Sequence, residues 1–144
     1  MAKEKIIVSA CLLGNKVRYD GNDSFKEEIA TLKEKYDLIP VCPEVLGGLS
    51  IPRDPAEITG NFVLTNKGTD VTVNFNVGAE TVLDLCKANH ISKAIMKSKS
   101  PSCGKGKIYD GSFSRRLIEG NGITVELLLK NNIKVYTENE LGGF

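Results

Sequence analysis

Glu4-Lys5-Ile6-Ile7-Val8-Ser9-Ala10, with Cys11 directly behind it, is the stretch that decides the fold. A short apolar, partly β-branched run of this kind reads as a strand buried on both faces, as strands of parallel sheets are. Working outward, residues 13–23 are rich in turn formers (Gly14-Asn15, Asp20-Gly21-Asn22-Asp23) and read as a loop. Ser24 offers an N-cap, and Glu27 three residues later completes a capping box. Phe25, Ile29, Leu32 and Tyr36 then recur at helical spacing, which predicts an amphipathic helix over 25–35. Asp37 to Val41 reads as a second strand, so the opening of the chain is a βαβ unit.

Pro43, Pro52 and Pro55, with Gly47-Gly48, make residues 42–60 a long irregular loop. Loops of this length inside a domain are usually functional or disordered. This one carries Cys42, Glu44, Arg53 and Glu57, a composition that favours function. Phe62-Val63-Leu64 and Val71-Thr72-Val73, flanking Asn66-Lys67-Gly68, predict a short hairpin. A helix over 77–89 places Val82, Leu85 and Cys86 on one face. A strand over 93–96, a glycine-containing loop over 97–113, a helix over 123–130 and a strand over 133–136 complete the reading. Strands alternating with helices imply an α/β fold, a mostly parallel sheet with helices on both faces, in one domain over residues 1–144.

The chain's 144 residues suffice for one buried core. A net charge of +1 gives no global attraction to nucleic acid or an anionic membrane. No apolar run approaches the roughly 18 residues of a membrane span, and the five-residue run after the charged start is too short for a signal peptide. A cytoplasmic protein is expected, and its cysteines are then ligands, nucleophiles or small buried residues rather than disulfides.

Three of the four cysteines stand past predicted strands: Cys11 after 4–10, Cys42 after 37–41, and Cys103 a short loop beyond 93–96. Ligands of open parallel sheets bind at the carboxyl ends of the strands, so three thiols distant in sequence can meet there. Converging thiolates suggest a metal or an iron–sulfur cluster with one open position. Paired CxxC spacing, the mark of structural zinc, is absent, and the single histidine, His90, falls at a predicted helix end. Cys86, on an apolar helix face, reads as core. Other readings stay open at this level. Cys11 is also compatible with simple packing, and Cys103, in Ser100-Pro101-Ser102-Cys103-Gly104-Lys105-Gly106-Lys107, with a nucleophile activated by amides and lysines.

Longer motifs narrow these. Ser9-Ala10-Cys11-Leu12-Leu13-Gly14, Arg18-Tyr19-Asp20-Gly21, Cys42-Pro43-Glu44-Val45-Leu46-Gly47-Gly48-Leu49 and Pro52-Arg53 resemble the thiouracil desulfurase (TudS-like) family. Asp70-Val71-Thr72, Phe75, Gly78-Ala79, the Ser-Pro-Ser-Cys-Gly run and Ile108-Tyr109-Asp110-Gly111-Ser112-Phe113-Ser114 continue the match, which spans roughly residues 6–136. The resemblance implies a compact Rossmann-like domain holding a [4Fe-4S] cluster on Cys11, Cys42 and Cys103, with no place for Cys86. It implies removal of sulfur from a thiolated pyrimidine without net redox change, the substrate's sulfur meeting the open iron and water replacing it.

The chemistry agrees: a soft thiocarbonyl sulfur suits iron, and a polarised C=S carbon is open to water. Glu44, two residues from Cys42, is the expected catalytic acid–base, with Ser100 and Ser102 beside it. Arg18, Asp20, Arg53 and Asp110 form an expected outer, substrate-binding set, Arg53 alternatively pairing with Glu44 or Glu57. Lys97, Lys99, Lys105 and Lys107 leave RNA open beside a thiolated nucleobase or nucleoside. A monomer or weak homodimer without membrane contact is expected. The competing readings are an anion-binding module with incidental cysteines and a cluster-free enzyme using Cys103 as nucleophile.

Overall fold

The computed structural model describes residues 3–144. In chain order its elements are β1 (Glu4–Ser9), α1 (Glu27–Ala30), β2 (Tyr36–Val41), α2 (Pro43–Leu46), β3 (Ala56–Thr59), β4 (Phe62–Thr65), α3 (Thr72–Ala88), β5 (Lys93–Met96), β6 (Lys107–Tyr109), β7 (Leu117–Glu119), α4 (Ile123–Lys130) and β8 (Lys134–Thr137). A parallel sheet in the order β2-β1-β5-β8 forms the centre. Ile6, Ile7 and Val8 of β1 and Ala94, Ile95 and Met96 of β5 are fully buried, which is why these inner strands read as unbroken apolar runs. Pro40, which has no N–H to give a ladder, sits in the edge strand β2.

Strand alternation sorts the core into two layers. Ile7, Ala94 and Met96 face α3 and α4, packing on Val82, Cys86, Val125 and Leu128. Ile6, Val8 and Ile95 face the other way, onto Leu12, Ile29, Leu32 and the C-terminal Leu141 and Phe144. Helices thus cover both faces, with one face much thinner. No helix among the described residues is long and apolar enough to cross a membrane.

The structure corrects several sequence expectations. The helix expected over 25–35 is one α-turn followed by a 3-10 segment, Thr31–Glu34. Ser24 does not cap it. Lys26 occupies that position in extended backbone with no side-chain cap, while the Ser24 hydroxyl accepts from the Arg18 guanidinium at 2.9 Å. The segment 42–60, expected to be irregular throughout, contains α2 and β3. The hairpin pairs β3 with β4 across Gly60-Asn61, with Thr59 opposite Phe62. Val71–Val73 is no strand: the Asp70 carboxylate accepts from the Thr72 amide at 2.9 Å and its hydroxyl at 2.6 Å, and α3 begins there. An isolated Leu64–Asp70 bridge, the Val71 amide on the Val63 carbonyl and the Val63 amide on the Thr72 hydroxyl still join the two segments. The loop over 97–113 includes β6, which pairs antiparallel with β7.

Both hairpins are insertions between parallel strands and rise at the carboxyl end of the sheet. One further contact fixes that end. The backbone of α2 lies directly on α3: a Cβ at Gly78 would fall 1.9 Å from the Pro43 carbonyl oxygen, and one at Gly47 would fall 2.0 Å from that of Asn74. The Asn74 side-chain Nδ2 donates to the Gly47 carbonyl at 2.9 Å, locking the crossing. Only glycine permits such backbone approach, so Gly78 sets where Cys42 and Glu44 stand. Gly78→Ala is expected to cost on the order of 1–3 kcal/mol, as overpacking does, read as a lower urea midpoint with unchanged m-value. A variant as stable as the parent would show that α2 shifts freely on α3.

Candidate active site

The chain reverses direction across the sheet between β1 and β5, and at such a switch point the strand ends part to leave a crevice. Here it is a cavity of about 350 Å³. Cys11 enters it from the 3-10 turn Ala10–Leu13 after β1, Cys42 from the residue preceding α2, and Cys103 from the turn after β5. Cys86, by contrast, is buried in the core cluster between α3 and the sheet and does not line the cavity.

Local chemistry builds the Cys103 turn. The Ser100 hydroxyl accepts from the amides of Ser102 and Cys103, both at 3.1 Å, and the Gly104 amide closes onto the Ser100 carbonyl at 2.9 Å. This is the capping geometry of a helix start used on a single turn. The first amides of α4 then anchor it from behind, Ile123 donating to the Pro101 carbonyl at 2.8 Å and Thr124 to that of Ser102 at 3.0 Å.

Glu44 is the hub. Its Oε1 receives the Arg53 Nε at 3.2 Å and its Oε2 the Ser102 hydroxyl at 3.0 Å. The Ser102 Oγ lies 3.4 Å from the Cys103 sulfur and 3.0 Å from the Ser100 Oγ. Arg53 also donates to the Val17 carbonyl at 3.0 Å and the Ser50 carbonyl at 3.1 Å. Arg53 pairs with Glu44, with side chains only 9% and 15% exposed, and it also lines the cavity. The two serines separate in role. Ser100 is occupied in holding the turn, whereas Ser102 joins the carboxylate to the thiol.

Arg18, Lys97 and Lys99 also line the cavity. Asp20 and Asp110 do not. Each accepts an amide two residues on, Asn22 at 3.0 Å and Ser112 at 2.9 Å, with Gly21 and Gly111 following in left-handed backbone. The repeated Tyr-Asp-Gly step is thus one turn built twice. Lys105 leaves the site for Glu140 at 3.1 Å, and the nearly buried Glu138 takes Lys97 at 3.0 Å and the Ser98 amide at 2.7 Å. Burial pushes the Glu138 carboxyl up, but the Ser98 amide and Lys97 outweigh it and hold it below the ordinary glutamate value. Sequence reasoning missed Ser9, Ser98, Tyr109, Phe113 and Arg115 on the wall. The last three hang on the β6–β7 hairpin, whose signal was an Asp-Gly step between apolar runs.

The thiols are not activated nucleophiles. Burial, reinforced by the neighbouring Cys42, pushes Cys11 up to about 11, and burial alone is the main cause that takes Cys103 up to about 12. Cys42 is also raised by burial, with the Val45 amide opposing. The depressed Cys103 value expected from its lysines and glycines is therefore reversed. A donor set of thiols that are costly to ionise alone, lining one space, fits a group whose positive charge draws the protons off. Among the described residues no three His, Cys, Asp or Glu gather tightly enough for a single ion. The cysteines surround a space rather than a point, which suits a polynuclear group better than mononuclear zinc.

Fold and cavity together define a doubly wound α/β protein presenting soft sulfur donors and a serine-linked carboxylate at its switch point. A family model described as 2-thiouracil desulfurase matches residues 6–140, and the chain belongs to that family. An uncharacterized protein of Bacillus subtilis (strain 168), YbbK, is 41% identical over 146 residues, 94% of this chain and 97% of that protein. A solved structure, the [4Fe-4S]-dependent thiouracil desulfidase TudS, is 47% identical with a TM-score of 0.92, over 98% of this chain and 95% of that one.

In the metal-free folded protein at pH 7.5, Cys11 and Cys103 are protonated, and thiolate appears only as pH climbs toward 11 and 12. Both are expected to react with iodoacetamide at least about a hundredfold more slowly than glutathione, by peptide mapping. A Cys103 as fast as glutathione would restore the nucleophile reading.

Proposed function

We propose that this chain is a [4Fe-4S]-dependent desulfidase that converts a thiolated pyrimidine, a 2-thiouracil-like base or its nucleoside, to the oxo base. One observation carries the proposal: three cysteines from three strand ends line the cavity into which Glu44 and Ser102 also point. The likeness to a [4Fe-4S]-dependent thiouracil desulfidase over 98% of the chain supports the same reading.

Cys11, Cys42 and Cys103 would hold the cluster. When bound, it would supply a soft Lewis acid suited to a thiocarbonyl sulfur. Glu44 Oε2 takes the proton of the attacking water, and the Ser102 hydroxyl carries hydrogen bonding from that oxygen toward the Cys103 side of the cavity. Arg53 holds Glu44 Oε1, so the carboxylate keeps one fixed face for the work. Water's oxygen ends on carbon as the new carbonyl, its second proton leaves with the sulfur as hydrosulfide, and no electrons are gained or lost. Ser100 acts through the turn it caps, and Arg18, on the wall, offers donors to the base oxygen.

After anaerobic reconstitution, the parent is expected to carry about four irons and four sulfides, with absorbance near ~410 nm. Cys11→Ser, Cys42→Ser and Cys103→Ser should each lose most of it, and Cys86→Ser should not. Glu44→Gln should keep the cluster yet lose about 10²- to 10⁴-fold in kcat on 2-thiouracil, the usual range for a general acid–base. A folded parent that binds no iron would sink the proposal.

A further inference from the structure

Glu57 takes no part in the Glu44 chemistry, yet it lines the same cavity from β3. Its Oε1 accepts two backbone amides of the β6–β7 hairpin loop, Gly111 at 3.0 Å and Phe113 at 3.2 Å. The loop is docked at a second point. Gly111 lies in left-handed backbone (φ +95°) so close to β3 that a Cβ would meet the Thr59 Oγ1 at 2.5 Å and the Ile58 carbonyl oxygen at 2.9 Å. Beyond it, Phe113 and Arg115 both take left-handed backbone, with φ of +58° and +63°, and both line the cavity. Such conformations are unfavourable for residues with side chains and persist only where the surroundings hold them. Within the loop, the Asp110 amide reaches the Arg116 carbonyl at 3.0 Å, and the Asp110 carboxylate takes the Ser112 amide. Those bonds shape the loop but do not attach it to the site. The attachment is the Glu57 carboxylate, whose charge strengthens both amide bonds.

We propose that Glu57 is a positioning residue for substrate: through the Gly111 and Phe113 amides it fixes the 110–116 loop as a wall of the cavity, with the Phe113 ring as an apolar face for a planar thiolated base. The identity of the ligand rests on the desulfidase reading above; the clamp itself does not. The chain that results runs from one carboxylate oxygen to two amides, from those amides to two strained residues, and from them to the cavity wall. It predicts an effect on substrate binding with little on the chemical step, because no atom of Glu57 is needed for proton transfer or for sulfur donation.

The test uses the full chain, reconstituted with iron and sulfide, as parent, Glu57→Ala and Glu57→Gln. Glutamine keeps an acceptor oxygen for both amides and alanine does not. In Glu57→Ala, hydrogen exchange at the Gly111 and Phe113 amides should quicken about tenfold, the size of one or two lost hydrogen bonds. Trypsin should then cut faster at Arg115 and Arg116. KM for 2-thiouracil should rise about tenfold, with kcat within about twofold of the parent and iron content unchanged, the signature of lost binding rather than lost transition-state contact. Glu57→Gln should restore most of each readout. Unaltered exchange and trypsin cleavage in Glu57→Ala would overturn the clamp, even for a parent with no iron and no turnover, a result that would separately defeat the desulfidase reading. In an active parent, a fall in kcat at constant KM would overturn the positioning role.

Discussion

The pair formed by Arg53 and Glu44 is the constraint on which the site depends. Three loops leave three different strands at the carboxyl end of the sheet, and nothing in the parallel ladder fixes how those loops lie relative to one another. Arg53 joins them. Its guanidinium holds Glu44 after β2, the Val17 carbonyl after β1 and the Ser50 carbonyl, and Glu44 passes the connection to Ser102 after β5. Burying a guanidinium and a carboxylate this deeply is a doubtful source of net stability, since desolvation offsets most of the attraction. What it secures is geometry: either ion left alone would be an uncompensated buried charge, so arrangements that part them are strongly disfavoured. The loops are therefore held in the one arrangement that brings all three cysteines to one cavity.

Burial of the thiols follows from the same arrangement and has an electrostatic consequence. Each thiol is held where its ionised form is unfavourable, and Cys11 is further disfavoured by the closeness of Cys42. A protein built to attack with sulfur would lower these values; one built to hold iron need not, because the metal itself displaces the proton. The amide of Val45 partly compensates the thiolate form of Cys42 without exposing it, and the Ser102 hydroxyl lies beside the Cys103 sulfur. The same groups that build the turns therefore also serve the sulfur.

The inner layer of the fold was legible because its causes are local and repetitive. Ile6-Ile7-Val8 and Ala94-Ile95-Met96 can be satisfied only as central strands, and α4 begins and ends where its pattern does. The cysteines were legible for a topological reason: strand ends of a parallel sheet converge whatever the intervening sequence. What was not legible depended on competition between turn signals. Asn66-Lys67-Gly68 read as the hairpin turn, but the Asp70 carboxylate starts a helix at Thr72 and the hairpin turns at Gly60-Asn61 instead. Ser24-x-x-Glu27 matched a capping box, but Arg18 claimed the Ser24 hydroxyl from outside the segment. The choice between Ser100 and Ser102 could not be made from sequence, since both flank a proline and only the amides they face tell them apart. Gly47 and Gly78 stood in the matched motifs, but nothing local showed why glycine is needed there, because the requirement comes from two backbones meeting.

The cavity is consequently assembled from parts with different tolerances. The cysteines, Glu44 and Ser102 stand on turns locked to the parallel sheet, to α3 through Gly78 and to α4 through its first amides, so their spacing is inherited from the most rigid part of the molecule. Tyr109, Phe113, Arg115 and Glu57 stand on two hairpins that belong to neither layer of the core. Leu117-Ile118-Glu119 of β7 is exposed along its whole length, so little burial opposes change there. In a two-part wall of this kind, side chains on the hairpins can vary while the cysteines, Glu44 and Ser102 stay in register. The physical limit on that freedom is the line of contact between β3 and Gly111: the hairpin loop can change its side chains, but its backbone must still reach a carboxylate on the first hairpin. The two parts of the wall are thus independent of each other only up to that contact.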